Sequence, residues 1–89
     1  MRLDGRKALV TGAGSHGIGR AIALGFAREG ADVAIHYHSR PEVAAAVVAE
    51  IEALGRRSFA LQANLCAAEA GRQLVRAASE RLGGLDIIL

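Results

Sequence analysis

Directly after the apolar run Ala8-Leu9-Val10 the chain reads Thr11-Gly12-Ala13-Gly14-Ser15-His16-Gly17-Ile18-Gly19, four glycines in nine residues. A strand that ends in glycines and runs straight into a helix turns unpaired backbone N–H groups and the positive end of the helix dipole toward one point. The chemistry performed at such a point is the holding of a phosphate. Gly12 permits a sharp turn, Gly14 and Gly17 let a ligand approach the backbone, and Gly19 lets the helix lie close to the strand. An ordinary glycine turn is the competing reading in a chain with 11 glycines, so the flanking elements decide.

Those elements alternate. Lys7 to Thr11 suits a strand buried on both faces, and from Gly17 a helical period begins, with Ile18, Ile22, Leu24 and Phe26 expected inward and Gly30 as the stop. Asp32 to Tyr37 reads as a second strand. Ser39-Arg40-Pro41-Glu42 then spells a capping box with proline in the first helical turn, and Val43, Val47, Ile51 and Leu54 share one face of the helix that follows, ended by Gly55. Ser58 to Ala63 is a third strand, Ala67 to Leu82 a third helix with Leu74, Ala78 and Leu82 inward, and Leu85 to Leu89 a fourth strand. The order βαβαβαβ implies an α/β fold with a parallel sheet and right-handed crossovers. A strand arriving about twenty residues after the glycine loop is what a dinucleotide unit requires.

At 89 residues the chain holds at most one small domain, and 52% hydrophobic with 22% charged residues is the composition of a folded globular protein. The net charge of +2 is small and its arginines are scattered without interleaved aromatics, which argues against nucleic-acid binding. The longest apolar run, Val43 to Ala49, is too short to cross a bilayer, and no signal-peptide core follows Met1 to Arg6, so no membrane association and a cytoplasmic location are expected. Cys66 has no second cysteine to pair with and is expected to pack as a small hydrophobe. His36 and His38 fall two apart on a strand, but without a third ligand they make a poor metal site.

The loop resembles that of the short-chain dehydrogenase/reductases, whose first-loop motif is Thr-Gly-x-x-x-Gly-x-Gly. Thr11-Gly12 and Gly17-Ile18-Gly19 match it, with four residues, Ala13 to His16, where the family has three. The resemblance continues through Gly30-Ala31-Asp32-Val33, Glu50-Ile51-Glu52-Ala53-Leu54-Gly55 and Leu85-Asp86-Ile87-Ile88-Leu89, and so covers the whole chain. Bacterial 3-oxoacyl-acyl-carrier-protein reductases and glucose dehydrogenases are the members it looks most like. The resemblance implies the N-terminal half of a Rossmann-type doubly wound sheet with strand order 3-2-1-4, residues 1–89 forming a partial NAD(P)-binding domain.

It also implies a division of labour among the residues. Gly12, Gly14, Ser15, His16, Gly17, Ile18 and Gly19 would line the diphosphate. An acidic residue at the end of the second strand would bind the ribose 2′-hydroxyl of NAD. Tyr37 stands there instead, with His38, Ser39 and Arg40 after it, so NADP is favoured and NAD remains possible. The plain alternatives are that His16 is solvated, Ser39 only caps a helix and Arg40 only opens it. Asn64-Leu65 stands where the family has Asp-Val beside the adenine ring, and the Asn64 amide oxygen could still accept from the exocyclic amine. Cys66 replaces the usual Ser or Thr cap of the third helix.

The family's reaction is hydride transfer between nicotinamide and a carbonyl or alcohol, assisted by a Tyr-x-x-x-Lys pair. The one tyrosine here is Tyr37 and the one lysine Lys7, so no residue of the chain is expected to be catalytic. The family's Asn-Asn-Ala-Gly motif would follow Leu89, and the chain reads as cut off at that boundary. A small carbonyl or alcohol substrate, and assembly into a homo-oligomer, are expected only of a longer form. The alternative is a non-catalytic dinucleotide-binding module, or one whose sheet a partner completes.

Overall fold

The computed structural model describes residues 3–12, 17–67 and 69–89. The elements are β1 (Lys7–Val10), α1 (Ile18–Arg28), β2 (Asp32–Tyr37), α2 (Pro41–Ala53), β3 (Ser58–Gln62), α3 (Ala70–Leu82) and β4 (Ile87–Ile88). They form one parallel sheet in the order β3-β2-β1-β4. This is the expected 3-2-1-4 arrangement. All strands therefore end on the same edge, and the direction of winding reverses between β1 and β4, the place where open α/β sheets leave a crevice for a ligand.

Strand alternation sorts the apolar residues onto two faces. Val10, Val33 and Ile35 pack with Ala23, Leu24 and Ala27 of α1 and Ala44, Val47 and Ile51 of α2, whereas Leu9 and Ala34 pack with Leu74, Ala78 and Leu82 of α3. The central strands β1 and β2 are thus buried on both sides, which is why they read as continuous apolar runs. β3 is only half-buried, and Ile88 and Leu89 are exposed.

Local expectations are corrected at five places. Ile18 shares the helical spacing of the inward residues but is 80% exposed, because it is the first residue of α1 and projects beyond the sheet's packed region. Ser39 does not cap α2. The residue before a proline is driven out of the α region, so Arg40 takes φ −124° and ψ 79°, serves as the N-cap without a side-chain hydrogen bond, and leaves Pro41 to begin the helix. The third helix starts at Ala70 rather than Ala67, since residues Asn64 to Ala67 form a turn of their own: Asn64 Oδ1 accepts the Cys66 N–H at 3.0 Å and the Asn64 carbonyl accepts the Ala67 N–H at 3.0 Å. Glu69, with φ 70°, is the N-cap, so Cys66 has no capping role, and its side chain is exposed rather than packed. Leu54, expected on the inner face of α2, is 44% exposed because it lies past the helix end.

β4 is short as a regular strand, yet its pairing with β1 runs further. Asp86 N–H donates to the Lys7 carbonyl, Leu89 N–H to the Leu9 carbonyl and Thr11 N–H to the Leu89 carbonyl, at 2.7 to 2.9 Å. The Thr11 hydroxyl adds a second bond to Leu89 O at 2.8 Å. Among the described residues no helix is long and apolar enough to cross a membrane.

Candidate dinucleotide site

The candidate site lies along the edge where the strands end. β1 passes into Gly12 in a left-handed turn with φ 72°, and the loop rejoins the described structure at Gly17, the N-cap of α1, with φ 119°. A side chain at either position would hold the backbone in a region costing about 1–3 kcal/mol. Nothing lies within 4 Å of where a Cβ on Gly12 or Gly17 would stand, so the space in front of both is open among the described residues. Gly14, Ser15 and His16 lie outside the described residues.

The start of α1 has the character of an anion site. No side chain caps it among the described residues, its first turn carries no acid, and its 11 residues align their peptide dipoles toward the loop. Ile18 and half-buried Gly19 open the helix, the Ile18 side chain standing in solvent beside the loop. Arg20 is committed elsewhere: its guanidinium forms a two-pronged pair with Glu50, Nε to Oε1 at 3.1 Å, tying α1 to α2.

The second strand ends on the same edge. Tyr37 is its last residue, half-buried and packed against the α1–α2 core, and His38, Ser39 and Arg40 follow as an exposed segment. The carbonyl of His38 accepts a bond from Gln62 Nε2 at 3.0 Å, which ties this segment to the end of β3. Asn64 and Leu65 follow β3 and are exposed, Asn64 with one lone pair of its amide oxygen already taken by the Cys66 N–H. Between the end of β3 and the start of α3 is a cleft of about 360 Å³ lined by Leu61, Ala63, Asn64, Ala67 and Leu74. The candidate residues that are described, from Gly12 to Leu65, thus share one edge of the sheet. Lys7 lies at the opposite end of β1.

His36 had no such role in the sequence. It is 6% exposed, Gly12 N–H donates to its Nδ1 at 3.1 Å, and its Nε2 meets the Ala63 carbonyl at 2.8 Å. A ring nitrogen that accepts at Nδ1 must carry its proton at Nε2, so both partners define one neutral tautomer. The available signal was its parity: in Val33-Ala34-Ile35-His36 the histidine shares the buried α3 side with Ala34, and a buried polar group needs partners. Both ring nitrogens are occupied by backbone, and His38 is exposed past the strand. Among the described residues no group of three or more His, Cys, Asp or Glu side chains is placed to hold a metal ion.

A glycine turn and, among the described residues, a helix start without a side-chain cap lie at the switch point of a parallel 3-2-1-4 sheet, the architecture of a Rossmann-type α/β unit. The model of the short chain dehydrogenase family matches residues 6–89, and the chain belongs to that family. It is 46% identical over 84 residues to the 3-oxoacyl-[acyl-carrier-protein] reductase FabG of Staphylococcus aureus, covering 94% of this chain and 34% of that protein. It is 45% identical over 87 residues to the L-rhamnose 1-dehydrogenase (NAD(P)(+)) of a Sphingomonas species, covering 98% of this chain and 34% of that one. A short chain dehydrogenase from Burkholderia cenocepacia, solved in complex with NADP, superposes with a TM-score of 0.94 at 53% identity over 99% of this chain and 36% of the other. The chain spans about a third of the length of these relatives.

Proposed function

We propose that residues 1–89 are the cofactor-holding N-terminal part of an NADP-preferring oxidoreductase that reduces small carbonyl compounds or oxidises the corresponding alcohols. The observation that carries this reading is the pairing, among the described residues, of an open glycine turn with a start of α1 that has no side-chain cap and no acid in its first turn, on the edge where β1, β2 and β3 end. Gly12 supplies the turn that ends β1, its N–H bound to His36, and the backbone of Gly14, Gly17, Ile18 and Gly19, with Ser15 and His16, holds the diphosphate. Tyr37 at the end of β2 offers no carboxylate to repel a 2′-phosphate, and His38, Ser39 and exposed Arg40 receive it. Asn64 and Leu65 border the adenine. The likeness to a protein solved with NADP supports the cofactor assignment.

Bound NADPH would supply the hydride. The residues of this chain bind and orient it, and none of them is assigned to proton transfer, since Lys7 and Tyr37 stand at opposite ends of the strands that carry them. Sequencing the coding DNA past the Leu89 codon tests the assignment. The expected result is an in-frame Asn-Asn-Ala-Gly followed by a Tyr-x-x-x-Lys. A stop codon directly after Leu89 would overturn the oxidoreductase reading in favour of a dinucleotide-binding module without chemistry.

A further inference from the structure

We propose that His36 is a positioning residue for the glycine loop, a role that rests on the functional reading above for its link to cofactor affinity. The geometry is a staple across three strands. Gly12, the first residue beyond β1 and its Thr11, gives its N–H to His36 Nδ1 at 3.1 Å, and the other ring nitrogen is bound to the carbonyl of Ala63, just beyond β3, at 2.8 Å. The imidazole itself sits on β2 and is 6% exposed, so water competes little for either bond. Ala63 is fixed in turn, because its N–H donates to the Tyr37 carbonyl at 3.1 Å.

The consequence lies in which amide is turned where. Gly12 has the left-handed φ of 72° at the point where the chain leaves the sheet, a conformation that glycine adopts easily and leaves just as easily. A bond that aims its N–H inward, at a ring anchored on two neighbouring strands, holds Gly12 in that conformation where β1 ends. It also withdraws the Gly12 N–H from any ligand in front of the loop. His36 therefore acts on the dinucleotide through the loop and without touching it.

Two substitutions separate this role from simple support of the core. An asparagine oxygen falls near the place of Nδ1 and keeps the Gly12 bond while losing Ala63. A glutamine amide reaches the place of Nε2 and keeps Ala63 while losing Gly12. The two variants, His36→Asn and His36→Gln, and the unaltered 89-residue chain are compared by amide hydrogen exchange at Gly12 without ligand, by NADPH titration, and by thermal unfolding. The expected result is that His36→Gln exchanges Gly12 about tenfold faster and binds NADPH about five- to tenfold more weakly, while His36→Asn recovers most of both. Equal Gly12 exchange in all three, or affinities that follow unfolding temperature instead of Gly12 protection, would overturn the proposal.

The nitrogen resonances of the His36 ring in the unaltered chain give a readout that needs no variant to fold. A proton on Nε2 with a bare Nδ1 supports the staple, and a proton on Nδ1 overturns it. A folded chain with the expected Gly12 protection that takes up no NADPH supports the staple and overturns the functional reading, so the two fail separately.

Discussion

Asn64 Oδ1 accepts the N–H of Cys66 at 3.0 Å, closing a turn at the point where β3 gives way to the approach to α3. The side chain of Asn64 thus spends half of its acceptor capacity on its own backbone, and its NH₂ group can only donate. An aspartate would close the same turn and bring a second acceptor oxygen. Asn64→Asp is expected to leave stability within about 0.5 kcal/mol, as is usual at an exposed site. It is also expected to tighten NADPH binding roughly threefold, because the adenine amine is a donor. Fluorescence titration beside a urea melt reads both quantities, and an unchanged or weaker affinity would remove Asn64 from the adenine site.

Arg40 is exposed and caps α2 through its backbone alone, so its side chain can be changed without altering the helix start. With the guanidinium on the 2′-phosphate, Arg40→Ser is expected to weaken NADPH about tenfold while NADH changes little, the size of one charge-assisted hydrogen bond. The ratio of the two dissociation constants is the measurement. Equal losses for both cofactors would place Arg40 outside the phosphate site.

Asp32 is buried at the start of β2, where Oδ1 accepts Arg56 Nη2 at 3.0 Å and the Arg57 N–H at 3.0 Å. Removing the carboxylate strands a backbone donor and a partly buried guanidinium. Asp32→Ala is expected to cost roughly 1.5–3 kcal/mol in urea unfolding, and Asp32→Asn less, since its oxygen still serves the Arg57 amide. Equal losses for the two would show that the acceptor geometry is not what stabilises this corner.

Gly30, with φ 101°, passes so close to the N-terminal turn that an added Cβ would collide with the Asp4 carboxylate and come within 3.0 Å of the Asp4 backbone. Gly30→Ala is expected to cost about 2 kcal/mol or more, combining strain with that collision. Against a total stability on the order of 5–13 kcal/mol for a domain of this size the midpoint shift would be large. A midpoint within error of the unaltered chain would contradict the packing of residues Leu3 to Arg6 against the end of α1.

The strands and the helix faces were legible because they follow from short-range patterns, unbroken apolar runs in β1 and β2 and the spacing of Leu74, Ala78 and Leu82 in α3, whereas the order of the strands in the sheet came from the family resemblance. What escaped needed one further constraint each. Ser39 matches a capping box, but the conformational restriction that Pro41 places on Arg40 decides where α2 begins. Ile18 has the right period, but at the first position of α1 it stands 80% exposed. His36 looked like half of a weak metal pair because its true partners, Gly12 and Ala63, lie 24 and 27 residues away in sequence and meet only once three strands are aligned. The loop motif itself was plain in the sequence, and its Thr11 is placed by bonds to Leu89 that no spacing reveals.

The most direct test of the central claim is calorimetric titration of the 89-residue chain with NADP⁺ and, separately, NAD⁺, with circular dichroism and a cooperative melt recorded on the same sample. Saturable binding with NADP⁺ the tighter ligand is the predicted result. A cooperatively folded chain that binds neither, or that prefers NAD⁺, would contradict the account.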